Sequence, residues 1–159
     1  MIFVELNEAE LIERELTVRN LRVSKEVLET RRSAARWLAL TLGIINPGES
    51  RLSAIAVLDS IIYFQFMKKQ DPNVKELIEY INVMWEPINE KTLRYHLLRM
   101  KKMGFIDNEQ GHFCFKPPAV GDRFDPNVWS NWLFETFYKE ISKKFGDVVN
   151  DLKEKEKMQ

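Results

Sequence analysis

Apolar residues recur with helical spacing along most of this chain, and one short stretch breaks the rhythm. Leu93, Leu97 and Met100 fall four and three residues apart, which makes one buried stripe of a helix, with Leu98 widening it. Asn89 ahead of the stripe is a good N-cap. Gly104 behind it is a good stop, because glycine reaches a left-handed cap without steric cost. A helix is therefore predicted over 90–103. Beyond it the pattern changes to Phe105-Ile106-Asp107-Asn108, a turn through Glu109-Gln110-Gly111, and Phe113-Cys114-Phe115, which reads as a hairpin. Upstream, Asp71-Pro72 marks a helix start, and Val74, Leu77, Ile78 and Ile81 supply an apolar face. Residues 84–87 are then a proline-marked turn.

The flanks follow the same logic. Asn7 with Glu10 has the spacing of a capping box and predicts a first helix with Leu11, Leu16, Val18, Leu21 and Val23 as its apolar positions. Ser24 caps a second helical piece that runs through Leu28, Ala35, Leu38 and Leu42 toward Ile45. Asn46-Pro47 with Glu49 opens a long helix carrying Ala54, Val57, Leu58, Ile61, Ile62 and Phe66, with its end near Lys68-Lys69. After the break at Pro117-Pro118, Asp125-Pro126 starts a last helix. Trp129, Leu133, Phe137, Ile141, Phe145, Val148 and Leu152 are read as one stripe along it, widened by Trp132, Phe134 and Tyr138. The expected fold is mainly α with a small β-hairpin. It divides into an N-terminal helical arm over 1–45, a central domain over 46–116, and a C-terminal helix over 117–159.

Charge sharpens the picture at the 90–103 helix. Lys91, Tyr95, Arg99 and Lys102 share a face with Arg94 beside them, and five basic residues stand against the single acid Glu90. The whole chain balances 24 Lys and Arg against 24 Asp and Glu, so this charge is concentrated locally. The central stretch resembles the winged helix-turn-helix domain of transcriptional regulators such as the MarR, ArsR and PadR groups. Val74-Lys75-Glu76-Leu77-Ile78-Glu79-Tyr80-Ile81 matches the second helix and Asn89-Glu90-Lys91-Thr92-Leu93-Arg94-Tyr95-His96-Leu97-Leu98-Arg99-Met100 the third. Lys101-Lys102-Met103-Gly104-Phe105-Ile106 is similar to the lead into the wing. The resemblance implies that Lys91, Thr92, Arg94, Tyr95 and Arg99 face the major groove of duplex DNA or its flanking phosphates, and Lys102 on the same cationic face is read as a further phosphate contact. The wing carries Asp107 and Glu109 where DNA-binding members often carry arginine or lysine.

Composition narrows the remaining classes. With 159 residues and 45% hydrophobic composition, the chain builds a real core. Met1-Ile2-Phe3-Val4 is followed at once by Glu5, so no secretory h-region is expected. The most apolar stretch, 54–66, is interrupted by Asp59, so no membrane span is expected either. The lone Cys114 fits a reducing compartment, and the expectation is a cytoplasmic protein. His96, His112 and Cys114 are too few for a zinc set, although His112 and Cys114 alternate on one strand as a two-ligand corner. Residues 43–48 lack the lysine of a phosphate loop, and no serine sits in a nucleophile elbow. Catalysis, cofactor and metal are therefore not expected.

Two readings of function stand. One is sequence-specific DNA binding as a dimeric transcriptional regulator, the dimer held by exchange of the terminal helices. The other is a winged-helix module for protein interaction in a transcription or chromatin assembly, supported by the acidic wing and neutral total charge. The terminal helices could instead pack onto their own domain. A small-molecule effector site lined by Trp37, Trp85, Trp129 and Trp132 stays open.

Overall fold

The computed structural model describes residues 7–158. Met1-Ile2-Phe3-Val4, read above for a targeting signal, lie outside the described residues. Among those residues the chain is mainly helical, with one two-stranded antiparallel hairpin. A 3-10 turn, Glu8–Leu11, is followed by α1 (Lys25–Glu29), α2 (Arg31–Thr41), α3 (Leu52–Ile62) with a π-turn at Tyr63–Met67, α4 (Val74–Met84) and α5 (Glu90–Lys102). Then come β1 (Ile106–Glu109), β2 (His112–Phe115) and α6 (Pro126–Lys157). Two compact units result, Met1–Lys116 and Pro117–Gln159. None of the described helices is long and apolar enough to cross a membrane.

The helix expected from Asn7 does not form beyond the 3-10 turn. Asn7 bonds the Glu10 side chain at 3.2 Å rather than capping a backbone N–H. Residues 12–23 run as a strap without helix, along which Leu16, Val18 and Leu21 are half-buried and Val23 is exposed. What holds the strap is distant in sequence. The Arg14 guanidinium donates to the Met103 carbonyl at 3.3 Å, at the C-cap of α5. Arg19 donates to the carbonyls of Leu40 (2.8 Å) in the last turn of α2 and of Ile45 (2.9 Å) beyond it, and to the Asn46 side chain (2.7 Å). Arg14 thus serves a carbonyl at the end of α5, while Arg19 adds to the bond that the Leu40 carbonyl already accepts from Gly43 N at 3.2 Å. Gly43, at φ +71°, lies under the strap so closely that a Cβ there would sit 2.2 Å from the Thr17 carbonyl oxygen. No other residue type fits that crossing.

Three further boundaries differ from the expectation. The single helical piece from Ser24 to Ile45 is broken at Thr30, whose extended backbone (φ −128°) ends α1 while its hydroxyl caps α2 in a capping box with Ser33. Asn46-Pro47 forms a turn closed by Glu49 N to Asn46 O at 3.0 Å, and Gly48 at φ +85° cannot continue into a helix. The helix therefore starts at Leu52. Asn73, not Asp71, caps α4, in a reciprocal box with Glu76. Pro72 instead offers its carbonyl to Phe113 N at 2.8 Å.

The core of the first unit is α3, whose residues Ala54 through Ile61 are all buried. It includes one acid. Asp59, 4% exposed, accepts from Arg31 Nε on both oxygens (3.0 Å), from the Tyr80 hydroxyl (2.8 Å) and from Trp85 Nε1 (2.9 Å). Arg31 also lies 5.5 Å from the ring centres of Tyr63 and Tyr80, within cation–π reach. Burial, reinforced by the bond to the Asp59 carboxylate, pushes the Tyr80 phenol well above its ordinary range. Around α3 the hairpin is tied in by Gln65 of the π-turn, which accepts from Phe115 N at 2.9 Å.

Candidate nucleic-acid interface

The Asn89 side chain accepts from Thr92 N at 2.8 Å, which sets the first turn of α5. Leu93, Leu97 and Met100 are at most 2% exposed, and His96 joins them at 5%. Leu98, expected to widen the buried stripe, is instead 52% exposed. A residue's position turns by about 100° per step on a helix, so Leu98 points well away from Leu97 and Met100. The outward face of α5 carries Lys91, Arg94, Tyr95, Leu98, Lys101 and Lys102, all exposed, with Thr92 half-buried beside them. Lys101 lies outside the six DNA-binding candidates read from the sequence. Arg94 forms an exposed ion pair with Glu90 at 3.3 Å, one helical turn away. Arg99, Lys101 and Lys102 stand in the last turn, where cations also complement the helix dipole.

Arg99 departs from the open face. It is half-buried, and its Nη1 is covered without a hydrogen-bond partner. Its charge, together with that of Arg51, bears on His96, whose Nε2 lies 3.0 Å from the Ser53 hydroxyl. Burial, then the Arg99 and Arg51 charges, hold the His96 imidazole below its ordinary value. The sign of the linkage follows. Below about pH 6.5 the unfolded chain binds a proton on His96 that the folded chain refuses, so stability present at pH 7.5 declines as pH falls. One such proton contributes at most about 1.4 kcal/mol per pH unit. Denaturant titrations between pH 7.5 and 5.5 should show a shallower decline for His96→Gln, and an identical decline would assign the pH dependence to other groups.

Gly104, at φ +82°, ends the helix, and β1 pairs with β2 in the register Ile106 with Phe115 and Glu109 with His112. The connection is the two residues Gln110 and Gly111, both at positive φ (+54° and +87°), the geometry whose twist matches that of paired strands. Asn108 Oδ1 accepts from Gly111 N at 2.8 Å and closes it. A cleft of about 670 Å³ lies between α4, α5 and this hairpin, walled by Lys75, Glu79, Glu90, Arg94, Asn108 and Phe113. Lys75 and Arg94 face Glu79 and Glu90 there, so the cleft is charge-balanced while the outer face of α5 is cationic. Lys75 is missed by a reading that follows charge runs, because it stands alone on α4.

Other candidate chemistry is absorbed by the fold. His112 is exposed and its Nδ1 lies 3.0 Å from the Asp71 carbonyl, whereas Cys114 is buried. Among the described residues no group of three or more His, Cys, Asp or Glu is placed to hold a metal ion. The indole N–H of Trp37 donates to the Arg22 carbonyl at 3.0 Å and that of Trp85 to Asp59, so both are held by protein groups. Trp129 is buried and Trp132 half-buried on α6.

Burial separates the two faces of α5 by a measurable amount. Leu97→Ala, at 2% exposure, should lower the unfolding free energy by about 2 to 5 kcal/mol, while Tyr95→Ala, at 55% exposure, should change it by about 0.5 kcal/mol or less. Thermal or urea melts decide. A larger loss at Tyr95 would mean that α5 is rotated from this placement.

No protein-family model matches the chain, and searches of curated protein sequences and of solved structures find no match.

Proposed function

We propose that residues 46–116 form a winged helix-turn-helix domain that binds duplex DNA through α5, and that the chain acts as a dimeric transcriptional regulator. One observation carries this reading. The outward face of α5 bears Lys91, Arg94, Lys101 and Lys102 around Tyr95, while its other face is locked in the core. The order helix, turn, helix, hairpin supports it, since a helix held at its back and flanked by a hairpin can enter a major groove. Lys91, Thr92 and Lys102 would meet phosphates, and Arg94, Tyr95 and Arg99 would approach base edges, where an arginine fork matches the two acceptors of guanine. Use of Arg99 in this way requires its guanidinium to swing out from beside His96. In this reading the protein is cytoplasmic and works without a cofactor.

The test is a titration of labelled duplex DNA by fluorescence anisotropy at 50 and 200 mM salt. Phosphate-anchored binding should weaken by on the order of tenfold or more between them. Absent binding at both would favour the second reading, a winged-helix module that docks on protein. The exposed Glu109 and half-buried Asp107 of the hairpin, together with the balanced cleft beside it, support that reading.

A further inference from the structure

The last helix carries an apolar seam that is half-buried at Phe134 and open from Tyr138 onward. Phe134, Tyr138, Ile141, Phe145, Val148 and Leu152 follow one another at spacings of 4, 3, 4, 3 and 4, the alternation that keeps side chains on one straight line of a helix. The seam is about 27 Å long at 1.5 Å per residue. It differs from the stripe expected from Trp129, because repeated steps of four drift by about 40° each and put Trp129 and Phe145 on nearly opposite sides. Accordingly Trp129 and Leu133 are 6% and 1% exposed, whereas Tyr138, Ile141, Phe145, Val148 and Leu152 are 50, 48, 71, 61 and 59% exposed. An uninterrupted apolar seam of this size marks an interaction surface.

The charges beside the seam select its occupant. Between 135 and 157 the helix carries six lysines (139, 143, 144, 153, 155, 157) and six acids (135, 140, 147, 151, 154, 156). A membrane-surface helix or a nucleic-acid contact needs a cationic excess that is absent here. A balanced flank is complementary to itself.

We propose that α6 pairs antiparallel with α6 of a second copy of this chain, centred between Gly146 and Asp147. In a heptad frame Tyr138, Phe145 and Leu152 take the a positions and Phe134, Ile141 and Val148 the d positions, with Lys144 and Asp151 at the g edge. A parallel pair would set Asp151 against Glu156 of the second copy, two acids together. An antiparallel pair aligned on the full seam would set Lys144 against its own copy. Moving that alignment by one heptad seats Phe145 on Val148 and Ile141 on Leu152 of the second copy. Lys144 then meets Asp151 on both sides of the twofold axis. Tyr138 falls on the stem of Lys155, within cation–π range of its ammonium. Of the three alignments only this one brings opposite charges together at the g edge, and its e edge sets Glu135 opposite Glu156 of the second copy near the ends of the pair. The proposal deepens the dimer reading above and does not depend on whether α5 reads DNA.

Sedimentation equilibrium of the full chain between 1 and 100 μM tests it. The expected result is a dimer whose dissociation constant rises at least about a hundredfold in Val148→Glu, with helical circular dichroism retained because Val148 is exposed in the single chain. At low salt Lys144→Glu should weaken the dimer about tenfold, and the double change Lys144→Glu with Asp151→Lys should restore it. For the register, chains with Phe145→Cys mixed with chains with Val148→Cys should form mixed disulfides, while each alone does not; Cys114 is buried and does not compete. A monomer at 100 μM overturns the proposal, as does a dimer indifferent to Val148→Glu, and self-linking of Val148→Cys alone overturns the antiparallel register. A monomer that still binds DNA removes this inference and leaves the DNA reading, and a dimer that binds none does the reverse.

Discussion

Replacing Asp59 by alanine is expected to lower the unfolding free energy by about 3 to 5 kcal/mol. The residue sits on α3 at 4% exposure and is the common acceptor for Arg31 of α2, Tyr80 of α4 and the Trp85 indole. Its loss strands three donors at once. Arg31 keeps 35% of its side-chain surface exposed, so water recovers part of its share, whereas Trp85 is 6% exposed and recovers little. Asp59→Asn should cost less, because an amide oxygen still accepts one or two of these bonds. Chemical denaturation followed by far-ultraviolet circular dichroism measures both. A loss under about 1 kcal/mol for alanine would mean that the three donors find other partners and that α2 is not held to α3 by this acid.

The second large effect concerns DNA. If Lys91 and Lys102 each meet a phosphate, changing both to alanine should reduce the salt slope of binding by about two units, a loss of on the order of fiftyfold at 100 mM salt. Arg94→Ala should instead cost about 1 to 3 kcal/mol at a selected site and much less on random sequence. Neither set touches a buried position, so folding serves as the internal control. Unchanged affinity and slope in the double variant would remove α5 as the DNA reader. Selection of bound fragments from random duplexes supplies the specific site that the Arg94 comparison needs.

Much of the candidate surface is legible from periodicity alone. Lys91, Arg94, Tyr95 and Lys102 are outward because Leu93, Leu97 and Met100 are inward, and the 100° step leaves little freedom. Arg99 is harder to read. It shares the spacing of the cationic face but is half-buried, and no pattern within α5 reports that the start of α3 brings Ser53 and the Arg51 charge to neighbouring His96. His96 itself, a polar residue at 5% exposure, is acceptable in the core only because Ser53, 43 residues away, partners its ring.

The sequence by itself determined those features whose hydrogen bonds close within a few residues. Asn89 caps α5 through Thr92, the Gln110-Gly111 pair turns the hairpin with Asn108, Gly104 stops a helix, and Asp125 with Pro126 opens α6. Each uses side-chain chemistry and backbone conformation that the neighbouring residues already specify. Tertiary structure decided the rest. Residues 12–23 carry an apolar pattern that a helix and a non-helical strap satisfy equally, and the strap prevails because Arg14 and Arg19 find carbonyls 89, 21 and 26 residues away. Asp59 reads as an interruption of an apolar run until Arg31, Tyr80 and Trp85 converge on it. In both places the deciding partner is remote along the chain, and burial away from water is what makes a remote hydrogen bond strong enough to override local preference.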